Sequence, residues 1–264
     1  MNRRLALNLL LPLATGILVI VTWYARRATL EEEMRFLLPS PGQVFAALRD
    51  NRETLTRAAM NTTQGALIGF GCAVAGSFVV ALVMSLARWV RTSVYPYLMI
   101  LQMTPIVILA PILIIWVGAG LKSVSIITFL ISFFPLVVNT TQGLVATDRN
   151  LVELFRLHRA KPWQELFLLR VPAALPYFFT GLRIAAVLAP IGAITGDFTA
   201  GSSAGDGGGL GFQALIYLGE AKYPALFATA GIGCVLGFIF TAAVLSLSWL
   251  ALHQWHDSYE RTDK

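Results

Sequence analysis

Residues 151–176 have the sequence LVELFRLHRAKPWQELFLLRVPAALP and form the one long polar interruption among the later hydrophobic runs of the chain. Ionisable side chains are dense in this segment: Glu153, Arg156, His158, Arg159, Lys161, Glu165 and Arg170. Such a segment cannot lie in hydrocarbon, where each unpaired charge is expensive. It therefore faces water or another protein, between apolar runs that are long enough to cross a membrane.

The composition of the whole chain points to a lipid environment. Hydrophobic residues make up 56% of the 264 residues and charged residues 13%, with a mean hydropathy of +0.70. Soluble domains are about 25% charged, so the composition excludes an ordinary water-soluble fold. The net charge of +6 does not indicate nucleic acid binding, because the basic residues flank apolar runs and form no separate stripe.

The apolar runs predict an all-α membrane protein with six transmembrane helices, because each run provides the roughly 20 residues that a bilayer requires. Residues 1–264 are expected to form a single transmembrane domain. The expected spans are residues 5–25, 62–87, 94–117, 123–146, 174–198 and 223–252. The first is expected to be a retained anchor rather than a cleaved signal. The many small residues of the second span predict close helix packing.

The distribution of basic residues predicts the orientation of the spans. Seven arginine and lysine residues occupy the two connections at residues 88–93 and 147–175. Two lysines occupy the opposite connections at residues 118–122 and 199–222. Basic residues are retained in the cytoplasm, so both chain termini are expected there. The long connection at residues 26–57 is a counter-signal, because it is also rich in arginine.

Residues 40–60 are expected to form an outer amphipathic segment that leads into the second span. Ser40 can cap a helix, Pro41 suits its first turn, and Gln43 can complete a capping box. Apolar residues then recur at near-helical spacing beside charged ones, as in helices that lie on a membrane surface. A plain solvated connector is the alternative interpretation.

Four polar residues on the spans are candidates for the translocation path or its gate: Gln102, Thr104, Asn139 and Asp197. Polar side chains and prolines on a span favour a bundle interior over a surface that faces lipid all round. For the first three residues, packing between helices is an equally good interpretation. Asp197 needs a partner or water, and Lys122, Lys222 or a second subunit are the candidate partners.

Motifs of soluble enzymes are missing from the sequence. Residues 201–211, GSSAGDGGGLG, do not match the dinucleotide pattern and are expected to be a flexible outer loop. The phosphate-binding loop, H-E-x-x-H and C-x-x-C patterns are absent. We therefore expect no catalytic residue, no cofactor and no metal site in this chain, and an intramembrane enzyme is disfavoured.

The polar segment resembles the cytoplasmic loop of the permease subunits of ABC importers. That loop has the pattern E-A-A, three residues, G, nine residues, I, one residue, L-P. In this chain the named positions of the pattern fall, in order, on Glu153, Leu154, Phe155, Arg159, Leu169, Val171 and Pro172. The spacing is kept in full while several letters differ, and Arg159 stands where the pattern has glycine.

Other stretches resemble the nitrate/sulfonate/taurine branch of these importers, over nearly the whole chain from Phe36 onward. They are residues 36–44 (FLLPSPGQV), residues 104–120 and residues 172–184. The phrases FFP at residues 133–135, VNT at 138–140 and IGAITGD at 191–197 look closest to importers of thiamine-pyrimidine precursors. Relatives usually carry glutamate where this chain has Asp197.

The resemblance implies a type I importer permease in the bacterial inner membrane, with residues 147–173 as its cytoplasmic coupling loop. Two copies would form the pore for a small solute, either a thiamine-precursor-like heterocycle or a sulfonate/taurine/nitrate-type anion. A periplasmic or lipid-anchored binding protein would deliver the solute, and two cytoplasmic ATP-binding subunits would use ATP and magnesium. The residues expected to contact those subunits are Glu153, Leu154, Phe155, Arg156, Arg159, Ala160, Leu169 and Pro172.

Arg159 in place of glycine is expected to make the coupling loop more rigidly helical and to offer a positive charge to an acidic site on the ATPase. A self-contained secondary transporter or channel is the alternative function. It would need an intramembrane relay of ionisable residues, and the spans offer little beyond Arg183 and Asp197.

Overall fold

The structure is a computed structural model that describes residues 3–201 and 208–252. Every regular element in these ranges is helical, in the order α1 Arg3–Thr29, α2 Pro41–Asp50, α3 Arg52–Leu86, α4 Arg88–Met103, α5 Ile106–Val117, α6 Leu121–Val145, α7 Arg149–Leu157, α8 Pro162–Gln164, α9 Val171–Ala200, α10 Leu210–Gly219 and α11 Tyr223–Leu252. A 3₁₀ turn at Glu32–Met34 precedes α2, and a π turn at Glu165–Arg170 joins α8 to α9. The predicted all-α fold is confirmed.

Five helices are long and apolar enough to cross a membrane: Leu10–Thr29, Arg52–Leu86, Leu121–Val145, Pro162–Ala200 and Tyr223–Leu250. The single helix expected over residues 94–117 is instead a pair, α4 and α5, bent by 96°. Thr104 and Pro105 at the break are extended, because proline disfavours a helical residue before it and donates no hydrogen bond. The pair makes a sixth span if it crosses as one.

The segment over residues 40–60 begins as the sequence predicts. The Gln43 N–H donates to Ser40 Oγ at 3.2 Å, and the Ser40 N–H donates to Gln43 Oε1 at 2.8 Å, which completes the capping box. The segment is not one helix, however, because α2 ends at Asp50 and α3 begins at Arg52. The apolar side of α2 packs beside α11, so part of its surface is covered by protein.

Helices α3, α6 and α9 form the centre of the bundle, and their backbones approach closely where glycine replaces a larger residue. A Cβ atom at Gly69 on α3 would lie 2.5 Å from the Ser125 carbonyl oxygen and 2.5 Å from Thr128 Cβ on α6. Without a hydrophobic driving force between helices in lipid, such van der Waals contact is what holds them together. The close packing predicted for the second span is confirmed at Gly69 but not at Gly71, which has open space around it.

Helix α1 is attached to the rest of the chain at its C-terminal end. The Trp23 indole N–H donates to the Pro39 carbonyl at 3.0 Å, and its ring lies 5.7 Å from that of Phe227 on α11. The Arg27 Nε donates to the Leu38 carbonyl at 3.2 Å. The most apolar part of α1 is not buried against the other helices.

The contrast between Gly69 and Gly71 gives a matched test of the α3–α6 contact. We expect Gly69→Ala to lower the stability by about 1–3 kcal/mol, because the added methyl forces two backbones apart. Gly71 lies on the same helix, and a Cβ atom added there would have no atom of another segment within 4 Å. Gly71→Ala is therefore expected to leave the stability unchanged or to raise it slightly. Thermal unfolding in detergent, followed by size-exclusion chromatography, compares them. Equal melting temperatures would contradict the close contact.

Candidate functional site

The coupling loop begins with a short helix whose start is fixed by a side chain. The Asn150 N–H donates to Asp148 Oδ1 at 2.8 Å, which satisfies one of the unpaired amides of the first turn of α7. Arg149 and Glu153 form an exposed pair along this helix, with Nε and Oε1 3.0 Å apart. Glu153, the glutamate of the sequence pattern, therefore lies on the surface of the loop, where an incoming subunit can reach it.

The turn that ends α7 has glycine geometry although the residue is an arginine. Arg159 has a φ of 56°, in the left-handed region. Its N–H donates to the Arg156 carbonyl at 2.9 Å, and the Ala160 N–H donates to the Phe155 carbonyl at 3.0 Å. These two bonds are those of a Schellman helix end. The expectation that Arg159 makes the loop more rigidly helical is wrong, because the helix ends at Leu157.

The left-handed backbone of Arg159 has an energetic consequence. A residue with a Cβ atom in this region is less stable than glycine by about 1–2 kcal/mol. The chain nevertheless makes the tight bend that the glycine of the sequence pattern would allow. The bend is therefore made here without a glycine.

The second arm of the loop starts at Pro162 and continues without a break into the bundle. The Lys161 N–H donates to Gln164 Oε1 at 2.8 Å at its start, and a π turn over Glu165–Arg170 leads into α9. Together the segments form one helix of 39 residues, Pro162–Ala200, which is about 58 Å long at the usual rise. Hydrocarbon accounts for about 30 Å of that length, so the first turns extend beyond it.

A buried carboxylate joins the two arms of the loop. Glu165 is 9% exposed, and it accepts hydrogen bonds from Arg156 Nε at 3.1 Å and from Arg170 Nε at 2.9 Å. Arg156 lies on α7, whereas Glu165 and Arg170 lie in the π turn, so this triad fixes the angle between the arms. Arg156 was predicted as a contact to the ATPase, and the structure shows that it also holds the loop together. Neither Glu165 nor Arg170 was among the predicted site residues.

The two arms enclose a cleft of about 530 Å³. It is lined by Leu154, Phe155, His158, Arg159, Ala160, Gln164 and Leu168. The structure thus brings together four of the predicted coupling residues, whereas Leu169 and Pro172 are half-buried farther along the second arm. Large apolar side chains near the cleft are exposed, among them Leu157, Trp163 and Phe167. A cleft with an apolar and basic rim, on a segment too polar for lipid, is suited to binding another protein.

Asp197 lies near the opposite end of the same long helix, and its partners are not those expected. Asp197 is 3% exposed, and its carboxylate accepts a hydrogen bond from Thr62 Oγ1 at 2.5 Å and another from the Gly211 N–H. Lys222 instead pairs with Glu220 at 2.9 Å, and this hydrogen bond raises the pKa of Lys222. Neither Lys122 nor Lys222 is among the partners that the structure shows for Asp197, so those two predicted pairings are wrong. A contact with a second subunit stays a prediction.

The end of the glycine-rich run packs tightly against Asp197. A Cβ atom at Gly209 would collide with the Asp197 carboxylate, and one at Gly211 would collide with the Ile194 carbonyl. The prediction of a flexible outer loop is therefore wrong for residues 208–211. Their glycines are required because the backbone passes close to α9. Residues 202–207 of the same run lie outside the described residues.

The remaining candidates for the path are separated from Asp197. Asn139 on α6 donates to the Pro135 carbonyl at 2.7 Å and lies beside Gly181, and 16 residues of helix separate Gly181 from Asp197, about 24 Å. Thr104 donates to the Ile100 carbonyl of its own helix at 3.0 Å, and Gln102 is exposed just before the bend. A role in the path stays a prediction for each of them.

Among residues 3–201 and 208–252, no three histidine, cysteine or acidic side chains are grouped to hold a metal.

The geometry is that of a membrane transport component: spanning helices, a polar two-armed loop at one end and a packed carboxylate at the other. Residues 65–261 match the family of binding-protein-dependent transport system inner membrane components. The chain belongs to this family of ABC transporter permeases, which are proteins of the bacterial inner membrane that act with ATPase and binding-protein partners.

Several curated relatives agree with this assignment. The formylaminopyrimidine transport permease protein ThiX of Halalkalibacterium halodurans is 36% identical over 221 residues, which cover 82% of this chain and 85% of the relative. The riboflavin transport system permease protein RibX of Chloroflexus aurantiacus is 34% identical over 81% of this chain and 78% of its own. The putative aliphatic sulfonates transport permease protein SsuC of Bacillus subtilis is 29% identical over 64% of this chain and 60% of its own. The resemblance to the nitrate/sulfonate/taurine branch, with thiamine-precursor-type permeases among the relatives, is confirmed.

The Glu165 triad leads to a prediction about the shape of the loop. We expect Glu165→Ala to destabilise the loop by about 1–2 kcal/mol, because it leaves the half-buried Arg170 without its carboxylate. Glu153→Ala is the matched control, since it removes only an exposed pair worth at most about 0.5 kcal/mol. Hydrogen exchange of residues 149–170 measures both. Equal exchange in the two variants would show that the triad does not hold the arms.

Proposed function

We propose that this chain forms, as a dimer, the pore of an ATP-driven importer and that residues 147–173 dock on two cytoplasmic ATPase subunits. The observation that carries this proposal is the cleft at the turn of the coupling loop, where Leu154, Phe155, Arg159 and Ala160 meet. The spacing of the sequence pattern and the geometry of the turn coincide there. The alternative, a self-contained secondary transporter or channel, assigns no task to this cleft.

The loop is built to transmit a displacement. The Glu165 triad joins α7 to the π turn, and the helix Pro162–Ala200 runs from the loop through the bundle. When ATP binding moves the ATPase subunits, a loop held in this way moves as one body with the inner end of α9. The interconversion between inward-open and outward-open states follows from that movement.

In the proposed dimer, the second copy of the chain covers apolar surface on α4 and α5 that is exposed in a single chain. On α4 and α5, residues such as Tyr97, Met103, Ile115 and Trp116 are more than 70% exposed. The sharp break between Met103 and Ile106 leaves irregular backbone in this pair. At membrane depth such backbone is buried in protein or lines a water-filled cavity, and it does not face lipid. We infer that this broken pair lies next to the pore.

The proposed solute is a small heterocycle of the thiamine-precursor type, or an anion of the sulfonate, taurine or nitrate type. Two relatives that are at least 34% identical over about four-fifths of this chain are described as permeases for formylaminopyrimidine and for riboflavin. Both compounds are nitrogen heterocycles, which favours the first class. A periplasmic or lipid-anchored binding protein would deliver the solute.

The central test is transport by the reconstituted complex. We expect the permease, the ATPase and the binding protein in liposomes to take up the solute only with ATP on the cytoplasmic side. Glu153→Ala and Pro172→Ala are expected to reduce uptake severalfold while ATP hydrolysis continues, because the docked loop no longer passes on the movement. Normal uptake with residues 153–160 scrambled would contradict coupling through the loop. Uptake by the permease alone, driven by a proton or sodium gradient, would establish the alternative.

The conformation of Arg159 allows its charge and its backbone to be tested separately. We expect Arg159→Glu to weaken binding of the ATPase about tenfold, which corresponds to about 1.4 kcal/mol, because a cation facing an acidic site becomes an anion. Arg159→Asn keeps a residue that tolerates the left-handed region, so it isolates the loss of charge. Arg159→Gly removes the strain as well. Co-purification and titration with labelled ATPase measure the three, and unaltered affinity in Arg159→Glu would remove this residue from the contact.

A further inference from the structure

We propose that Thr62 and Asp197 are positioning residues that cap helix α10 and thereby tie it to the helix that carries the coupling loop. This inference rests on the proposed function and goes beyond it, because it assigns Asp197 a task other than lining the path. We call these two residues the α10 cap.

The N-terminus of α10 needs partners from elsewhere in the chain. The first amides of a helix have no acceptor within it, and the residue before α10 is Gly209, which has no side chain to supply one. Thr62 Oγ1 accepts the hydrogen bond of the Leu210 N–H at 2.8 Å. The Asp197 carboxylate accepts that of the Gly211 N–H. Side chains from α3 and α9 thus do the work of an N-cap.

The two capping side chains support each other. The Thr62 hydroxyl donates to Asp197 Oδ2 at 2.5 Å, which is closer than its other acceptor, the Ala58 carbonyl at 3.0 Å, while it accepts from Leu210. Thr62 is fully buried and Asp197 nearly so. A negative charge is favourable at a helix N-terminus, because the peptide dipoles leave a partial positive charge there. The partners that the structure shows for this carboxylate are uncharged hydrogen-bond donors.

The fit of the cap is specific for a short acid. A Cβ atom at Gly209 would collide with the Asp197 carboxylate, so the chain passes directly over it. Glutamate would place its carboxylate about one methylene farther out, into that backbone. The aspartate and the glycine therefore belong together.

The position of the cap on α9 links it to the coupling loop. Asp197 lies three residues before the end of the helix Pro162–Ala200, whose first residues form the second arm of the loop. The Gly120 N–H, in the turn between α5 and α6, donates to the Ala200 carbonyl at 2.8 Å. A displacement of α9 therefore reaches α10 through Asp197 and the α5–α6 turn through Ala200. We infer that the cap makes α10 follow α9 during transport.

The experiment uses the full complex in liposomes and has two readouts. The first is hydrogen exchange of the amides of residues 208–219, and the second is the number of solute molecules taken up per ATP hydrolysed. The variants are Asp197→Ala, Asp197→Asn and Thr62→Val, with Thr62→Ser as the conservative replacement. Thr63→Val is the matched control, because the one hydrogen bond of the Thr63 hydroxyl within the described residues is to the Ala59 carbonyl of its own helix.

We expect Asp197→Ala and Thr62→Val to speed exchange at the start of α10 about tenfold, the size expected for loss of a helix cap. Uptake per ATP is expected to fall severalfold, because α10 no longer follows α9. Thr62→Ser should restore both readouts and Thr63→Val should leave both unchanged. Asp197→Asn keeps an acceptor for Gly211 but lacks the charge, so an intermediate effect is expected, and this variant serves if Asp197→Ala does not assemble.

Two results would overturn the inference. Unchanged exchange in both Thr62→Val and Asp197→Asn would show that the cap does not hold α10. Faster exchange with unchanged uptake per ATP would show that the cap is structural and positions nothing for transport. Failure of the proposed function looks different: the wild-type complex would then lack ATP-dependent uptake, while the exchange of α10 amides would still report on the cap.

Discussion

The close approach of α3, α6 and α9 is the constraint on which the rest of the structure depends. Helices surrounded by lipid gain little from hiding apolar surface, so their association relies on contact between backbones. Gly69 on α3 and Gly181 on α9 both lie where a side chain would strike α6. This packed centre holds α9 along its length, and α9 in turn carries the coupling loop at one end and Asp197 at the other. Any movement between the two ends must pass through this tightly packed part of the chain.

The two buried carboxylates show how the surroundings decide the choice of partner. Glu165 lies in the polar loop and is held by two arginines. Asp197 lies inside the bundle and is held by a hydroxyl and a backbone amide. Burying a second charge beside Asp197 would add another desolvation cost, whereas Thr62 and Gly211 supply uncharged donors. Each of the two acids thus has hydrogen-bond donors within the chain.

The sequence predicts those features that depend on local pattern. Apolar length predicted the spans, the Ser40–Gln43 spacing predicted the start of α2, and the resemblance pointed to the coupling loop. Features in which the backbone of one segment contacts the side chain of another could not be predicted from the sequence. One partner of Asp197 is the backbone amide of Gly211, 14 residues later in the chain. Nearly every residue has such an amide, so the residue type does not mark this one. The left-handed Arg159 was missed because residue type normally argues against that conformation. The prolines of the third span favoured a place inside the bundle, but they did not predict the 96° bend between α4 and α5.

Helix α1 stands apart from this arrangement. Its contacts to the rest of the chain gather near Trp23 and Arg27, and its most apolar part is not covered by the other helices. The bundle can therefore reach its packed form whether or not α1 has reached its final place. The indole and the guanidinium fix where α1 begins to leave the body of the protein, and what lies alongside it in the membrane decides its direction. A change in lipid thickness or in a neighbouring protein would tilt α1 about Trp23 without disturbing the glycine contacts at the centre.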